Sequence, residues 1–171
     1  MKKQLDKKFI CLILARKGSK RIKNKNLVKI NRKPLIEYTI NAAAKVVSKK
    51  NIFVSTNDLK IINIAKKYKI NFIKRPPSLC KDNSSSEDGI IHAIKSLKKI
   101  RKIENVIFLQ ATSPLRDSKD IINCVQKYYK KKLDSIFSAF LAKRFIWTKR
   151  RKLSSLTFDY KRRQRSQNLK N

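Results

Sequence analysis

A basic polar segment at residues 16–26, RKGSKRIKNKN, carries side chains that could bind phosphate. Its single glycine, Gly18, excludes two glycine-rich phosphate motifs, because one needs GxxxxGK followed by Ser or Thr and the other needs GxGxxG. Phosphate contacts here would therefore come from side-chain charge and from backbone N–H groups. Charge alone leaves the alternative of an exposed basic loop open.

Arg75 and the serines at 84–86 form a second candidate site. The spacing from Ser84 to Glu87 is that of a capping box, which predicts that Ser84 caps a helix. Free N–H groups at a helix N-terminus suit polar or anionic groups, so Ser84 and Ser86 could also contact the edge of a base. Capping and base contact both stay open for Ser84, and the two roles are compatible.

Gln110 and Arg116 follow an apolar run and form a third candidate site. The Gln110 amide offers a donor and an acceptor together, which favours contact with sugar hydroxyls or an N-acyl group. Arg116 would suit a carboxylate, but we predict for it a structural ion pair with Asp117 or Asp120.

The charge balance is extreme, with 45 Lys and Arg against 11 Asp and Glu and a formal net charge of +34. Such a charge favours polyanions, so nucleic acid, an anionic membrane surface and a phosphorylated substrate are all considered. The lysines lie within periodic segments along the whole chain, which predicts that many occupy solvated helix faces. The three cysteines show no CxxC spacing and predict neither a zinc site nor disulfides.

Apolar runs alternate with helical periodicity along the chain, which predicts an α/β fold with a Rossmann-like, mostly parallel sheet and helices on both faces. In such a sheet, ligands bind beyond the carboxyl ends of the strands. The predicted strands are 9–15, 52–55, 70–73, 106–109 and 135–138, and the predicted helices start at Pro34, at Asn57 or Asp58, at Ser84, and at Asp117 or Ser118.

The length of 171 residues predicts one domain. We place a nucleotide-binding α/β domain at 1–139 and a basic irregular segment at 140–171. The apolar runs are too short to span a membrane, and a cytoplasmic location is expected.

Five segments occur in the order and at the spacing typical of the acylneuraminate cytidylyltransferases, the CMP-sialic acid synthetases and their pseudaminic, legionaminic and Kdo-type relatives. The chain therefore resembles this family and its nucleotide-diphospho-sugar transferase type of fold. The segments are ILARKGSKRIKNKNL at 13–27, KPLIEYTI at 33–40, VSTND at 54–58, RPPSLCKDNSSS at 75–86 and LQATSPLR at 109–116.

The resemblance implies a role for each site. Arg16, Ser19, Lys25 and Asn26 would bind the triphosphate of CTP, with Arg16 and Lys25 acting in catalysis. Arg75, Ser84 and Ser86 would hold the cytosine and ribose, and Gln110 the sugar. A second sugar-binding pair, Arg165 and Gln167, is implied by the similarity of 165–170 to another family segment.

The resemblance also implies a reaction. CMP would pass from CTP to an acidic nine-carbon 2-keto sugar or a Kdo-type sugar, with release of pyrophosphate, Mg²⁺ as cofactor and a homodimer as the assembly. The family's acidic metal-binding motif has no counterpart before Asn171, so we expect the metal ligands to lie beyond it and this chain to turn over poorly. The alternatives are an inactive or partial enzyme and a basic nucleic-acid-binding protein; no specific nucleic acid and no membrane partner are expected.

Overall fold

The computed structural model describes Leu5 and residues 8–19, 22–81, 84–139, 147–149 and 153–155. The strands are β1 (Phe9–Leu14), β2 (Lys29–Ile30), β3 (Lys33–Pro34), β4 (Ile52–Thr56), β5 (Asn71–Lys74), β6 (Asn105–Gln110), β7 (Trp147–Lys149) and β8 (Leu153–Ser155). The helices are α1 (Leu35–Val46), α2 (Leu59–Lys67), α3 (Ser86–Lys98) and α4 (Ser118–Lys130), and short 3-10 turns occupy Lys25–Leu27, Lys49–Asn51 and Pro77–Cys80.

The central sheet is parallel and has the strand order β5-β4-β1-β6 in the described residues. β1 lies between β4 and β6, and because helices pack on both sides of the sheet it is buried on both faces, as its continuous apolar sequence predicts. The parallel arrangement brings the carboxyl ends of all four strands to one edge, where the polar segments of the sequence follow.

Helices cover both faces of this sheet, which confirms the predicted fold class. On one face, Cys11 and Ile13 of β1 belong to a core that includes residues of α1, α2 and α4. On the other face, Ile10 and Leu12 pack with Ala93 and Leu97 of α3. Successive side chains of a strand point to opposite faces, so one apolar run supplies both cores.

Two of the predicted helix caps are confirmed. The Asp58 carboxylate accepts a hydrogen bond from the Lys60 N–H at 2.9 Å and caps α2. Asp117 caps α4 in a reciprocal capping box with Asp120. The short range of these bonds explains why the sequence predicts them.

Two predicted features are wrong. The cap of α3 is Ser85, whose hydroxyl accepts from the Asp88 N–H at 3.0 Å, while the Ser84 hydroxyl donates to the Ser78 carbonyl at 3.2 Å. The predicted strand 135–138 has no regular structure. A strand needs a neighbour for its backbone hydrogen bonds, and a four-residue apolar pattern does not specify one.

The chain divides into two compact units, residues 1–133 and 134–171. The first contains the central sheet and α1 to α4. In the second, β7 and β8 pair in antiparallel fashion, which the fading periodicity after residue 139 did not predict. None of the helices in the described part of the chain combines the length and hydrophobicity needed to cross a bilayer.

Candidate functional site

A cavity of about 530 Å³ opens at the carboxyl ends of β1 and β6. This volume lies within the range typical of small-ligand sites. Its lining residues are Leu14, Arg16, Ser19, Lys25, Asn26, Ser86, Phe108, Gln110, Ala111 and Thr112.

The loop after β1 is held in place by long-range hydrogen bonds. The Lys17 N–H donates to Asn57 Oδ1 at 2.7 Å, which ties the loop to the end of β4. Asn26 Nδ2 donates to the Arg16 carbonyl at 3.2 Å, which closes the loop on itself. Gly18 has a φ of 75°, a left-handed conformation that glycine adopts at little cost.

Arg16 and Lys25 are the cations that line the cavity. Arg16 Nη1 donates to the carbonyls of Gly18 at 2.9 Å and Cys80 at 3.2 Å, so the loop fixes this guanidinium beside the cavity. Lys25 is half-buried at the start of a 3-10 turn that follows Asn24, whose φ is 52°. Both side chains are positively charged, which suits an anionic ligand.

Arg75 is a buried cation beside this site, with only 6% of its surface exposed. Its Nε donates to Ser55 Oγ and its Nη2 to the Ser55 carbonyl, both at 3.1 Å. Burial lowers the pKa of Arg75 below its usual value, and the neighbouring Arg16 cation acts in the same direction.

A glycine in α3 allows the helix to approach Arg75 closely. A Cβ on Gly89 would lie 3.2 Å from Leu14 Cδ1 and 3.4 Å from Arg75 Cζ. The close packing places the N-terminus of α3 at the cavity, where Ser86, the first residue of the helix, is part of the lining. Free backbone N–H groups at this position can meet the polar edge of a ligand.

Gln110 is positioned by its own backbone carbonyl. That oxygen accepts from Thr39 Oγ1 at 3.3 Å and from Arg116 Nη2 at 3.2 Å. Arg116 Nη2 also donates to Thr39 Oγ1 at 3.1 Å. The Gln110 side chain is exposed at the cavity, so its amide is presented on a fixed backbone.

The predicted ion pair of Arg116 is wrong, since its hydrogen bonds go to the uncharged groups of Thr39 and Gln110. Its Nε is buried without a hydrogen-bond partner in the described residues. Burial lowers the pKa of Arg116, while Cys11 and Asp120 oppose this effect from a distance.

Six of the residues predicted to bind ligands meet in one cavity: Arg16, Ser19, Lys25, Asn26, Ser86 and Gln110. Arg75 and Ser84 are not among the lining residues. Arg165 and Gln167 lie outside the described residues, so their predicted role stays a prediction.

Sequence reasoning assigned no ligand role to Leu14, Phe108 or Thr112, which also line the cavity. Leu14 and Phe108 lie at or near the carboxyl ends of β1 and β6, and their apolar character favoured only a core role. Their position at the carboxyl ends of predicted parallel strands could have indicated that they line the ligand site.

The described residues do not form a complete metal site by themselves. Among them, no group of three His, Cys, Asp or Glu side chains lies close enough together to hold a metal ion. The charged side chains of the cavity lining are cations, which repel a divalent metal.

Comparison with known proteins places the chain in a family. A family model described as cytidylyltransferase matches residues 10–161, and the chain belongs to that family. An N-acylneuraminate cytidylyltransferase of Escherichia coli O18:K1:H7 is 40% identical over 121 residues, which are 71% of this chain and 28% of that protein. A pseudaminic acid cytidylyltransferase of Campylobacter jejuni is 35% identical over 135 residues, which cover 77% of this chain and 58% of that protein. The family predicted from the five segments is thereby confirmed.

The solved structures agree on the fold. A CMP:2-keto-3-deoxy-manno-octonic acid synthetase complexed with CTP superposes with a TM-score of 0.60 at 23% identity, covering 73% of this chain and 48% of that one. A cytidylyltransferase of Leptospira borgpetersenii gives a TM-score of 0.56 at 23% identity, covering 73% of this chain and 50% of that one. The chain spans 28% and 58% of the lengths of the two sequence relatives above.

Proposed function

We propose that this chain acts as a cytidylyltransferase that transfers CMP from CTP to an acidic 2-keto sugar, an N-acylneuraminate or a related nonulosonate, with release of pyrophosphate. The family match and the names of the relatives support this reaction class. The observation that carries the proposal is that one cavity combines Arg16, Lys25, the N-terminus of α3 and the Gln110 amide.

The charges of the cavity favour one position for the triphosphate and another for the base and ribose. Arg16 and Lys25 would hold the triphosphate, because both cations line the cavity and a charge-assisted hydrogen bond to a phosphate oxygen is a strong one. The first turn of α3 contains Glu87 and Asp88, which offset the positive end of the helix dipole. That helix end therefore suits a neutral base edge better than a phosphate, and we assign Ser86 to the cytosine and ribose end.

In the proposed reaction, the anomeric hydroxyl oxygen of the sugar attacks the α-phosphorus of CTP in line. The new bond joins that oxygen to the α-phosphorus, the bond from the α-phosphorus to the bridging oxygen breaks, and pyrophosphate leaves with the bond electrons. The hydroxyl proton passes to solvent. Arg16 and Lys25 act by stabilising negative charge on the phosphoryl oxygens, so catalysis rests on positioning and electrostatics.

Gln110 is our choice for the sugar contact. Its amide lines the same cavity and is exposed, and its backbone is fixed by Thr39 and Arg116. Magnesium and a homodimer complete the proposal on the strength of the resemblance, and a cytoplasmic location is proposed from the short apolar runs of the sequence. No described residue is assigned to the metal.

Calorimetric titration of the full chain with CTP, ATP, GTP and UTP tests the nucleotide part. We expect CTP to bind tightest. Equal affinity for the four nucleotides would reduce the cavity to a site of general charge attraction.

The transfer is tested by pyrophosphate release from CTP and magnesium with N-acetylneuraminic, pseudaminic, legionaminic and Kdo acids in turn. Release with one of these sugars supports the proposed reaction. Selective CTP binding without release from any of them supports the alternative, an inactive or partial enzyme.

A further inference from the structure

The amino-terminal edge of the central sheet, opposite the cavity, carries a dense group of exposed lysines. The strands are parallel, so the turns before β1, β4, β5 and β6 and the end of α4 all lie at this edge. We name these residues the amino-edge patch: Lys8, Lys49, Lys50, Lys69, Lys98, Lys99, Lys102 and Lys130 to Lys132.

Hydrogen bonds join the turns of the patch into one surface. Arg101 Nη1 donates to Asn51 Oδ1 at 2.9 Å, which links the loop after α3 to the turn before β4. Asn71 Nδ2 donates to the Lys50 carbonyl at 2.8 Å, which links that turn to the start of β5. Arg101 Cζ also lies 5.9 Å from the centre of the Phe53 ring. Arg101 therefore packs against the domain, while its lysine neighbours remain exposed.

The other half of the patch is connected in the same way. Asn105 Nδ2 donates to the Lys8 carbonyl at 3.2 Å, and Asn105 Oδ1 accepts from the Tyr128 hydroxyl at 2.9 Å. These bonds connect the starts of β1 and β6 to the end of α4. The lysines on the four turns therefore belong to one continuous face.

Little negative charge offsets this face. Within the patch, the ion pair found among the described residues is Lys102 Nζ to Glu104 Oε1 at 3.6 Å, with the two side chains 86% and 44% exposed. An exposed pair of this kind is weak and screened by salt. The patch therefore presents a positive potential to a partner.

A large exposed apolar side chain is flanked in the sequence by three of these lysines. Ile100 is 76% exposed and stands between Lys98-Lys99 and Arg101-Lys102 in the sequence KKIRK. Lysines around an exposed aliphatic side chain suit the surface of an anionic bilayer, where ammonium groups meet lipid phosphates and the aliphatic group enters the acyl boundary. Ile100 has no ring on which a nucleic-acid base could stack. The same edge also exposes Tyr129, at 41%, but its ring already has Lys8 Nζ 5.8 Å from its centre and Phe9 packed edge-on at 5.6 Å, and a tyrosine with one apolar and one polar end suits a membrane interface.

We propose that the amino-edge patch binds the surface of an anionic lipid bilayer, with Ile100 as an apolar part of the contact. The proposal replaces the sequence-based expectation of no membrane partner and does not depend on the proposed function. Since the cavity opens at the opposite edge of the sheet, it stays accessible to solvent while the patch is bound.

Sedimentation with lipid vesicles tests this contact. We expect the full chain to bind vesicles of phosphatidylcholine containing about a third phosphatidylglycerol, to bind less as salt rises, and not to bind pure phosphatidylcholine. The Lys99→Gln variant should lose about fivefold in vesicle affinity, roughly what one basic residue contributes near an anionic surface. The Ile100→Ser variant should also bind the vesicles more weakly, because an aliphatic side chain that enters the acyl boundary is lost.

Matched controls lie at the carboxyl edge of the sheet. Leu59 is 73% exposed and is followed by Lys60 at the start of α2, so Leu59→Ser and Lys60→Gln change the same surface chemistry away from the patch. These controls should leave vesicle affinity unchanged, and all four variants should keep the unfolding midpoint of the unmodified chain.

Three results would overturn the proposal. One is an absence of binding to the anionic vesicles. Another is an equal loss of affinity in the Leu59 and Lys60 controls, which would indicate attraction by net charge alone. The third is a single-stranded RNA oligonucleotide that competes fully with the vesicles and depends on Lys99 but not on Ile100, which would identify a nucleic-acid surface.

Discussion

Arg116 Nη2 donates to the backbone oxygen of Gln110 at 3.2 Å, and the same guanidinium nitrogen donates to Thr39 Oγ1 at 3.1 Å. Thr39 Oγ1 in turn donates to the Gln110 oxygen at 3.3 Å. One triangle of hydrogen bonds thus fixes the end of β6 against α1. The residue that presents its amide to the cavity is held through its backbone, which leaves its side chain available for ligand.

The first prediction distinguishes the structural role of Arg116, which holds the Gln110 backbone, from the proposed ligand contact of the Gln110 side chain. Arg116→Ala should lower the free energy of unfolding by about 1–3 kcal/mol, because it removes a charged donor from two hydrogen bonds. Gln110→Ala should change it by less than about 0.5 kcal/mol, because that side chain is exposed. Urea unfolding measures both values.

The Thr39→Val variant provides the control for this triangle. Its effect on stability should be less than additive with that of Arg116→Ala, because the two residues share a hydrogen bond. Strict additivity, or an equal cost for Gln110→Ala, would contradict the supporting role of Arg116.

The second prediction concerns Lys25, which is half-buried in the cavity lining. Lys25→Ala should weaken CTP binding about tenfold, because a charge-assisted contact to phosphate is lost. Lys49→Ala is the matched control, since Lys49 is exposed on the amino-edge patch. Calorimetry that gives indistinguishable CTP affinities for the two variants would remove Lys25 from the phosphate site.

The third prediction separates two neighbouring serines. Ser85→Ala should cost about 1 kcal/mol of folding stability, because its hydroxyl caps α3 through the Asp88 N–H. Ser86→Ala should leave stability within about 0.5 kcal/mol and weaken CTP binding, because Ser86 lines the cavity. Thermal unfolding and CTP titration of both variants test this, and a reversed pattern would show that the helix end is assigned wrongly.

The fourth prediction is a pH dependence from Cys11. Burial raises the pKa of the Cys11 thiol from 9.0 to about 12, while Arg116 acts weakly in the opposite direction. Between these values the unfolded chain loses the thiol proton and the folded chain keeps it. The Cys11 contribution to stability is therefore full below pH 9 and is lost as the pH rises towards 12, by at most about 1.4 kcal/mol per pH unit.

Urea unfolding across this pH range measures the effect. Cys11→Ala should be less stable than the unmodified chain at pH 8, and the difference should shrink as the pH rises, because the variant lacks this titration. Comparing the two proteins cancels the lysine titrations that they share. A constant difference up to pH 12 would mean that Cys11 ionises alike in both states.

Elements whose signals are short in sequence were predicted well. The apolar run of β1 and the caps Asp58 and Asp117 depend on residues at most a few positions apart, and the structure confirms them. Ser84 and Ser85 have the same side chain, so the choice between them as cap depends on how the chain enters α3. Ser84 is engaged by the Ser78 carbonyl, a contact that no capping pattern contains.

The sequence by itself determined the order of the four central strands and the four helices, the family, and the polar segments that lie at the carboxyl edge of the sheet. Periodicity and motif spacing are local, and a parallel sheet then brings separate strand ends together. The tertiary structure alone decided that Arg116 binds Thr39, 77 positions away, and that Arg75 lies buried on Ser55, 20 positions away. Partners at such separations are set by the packing of the whole sheet against its helices. A pattern along the chain can therefore indicate that an arginine has a structural or binding role, but it does not identify the group to which that arginine bonds.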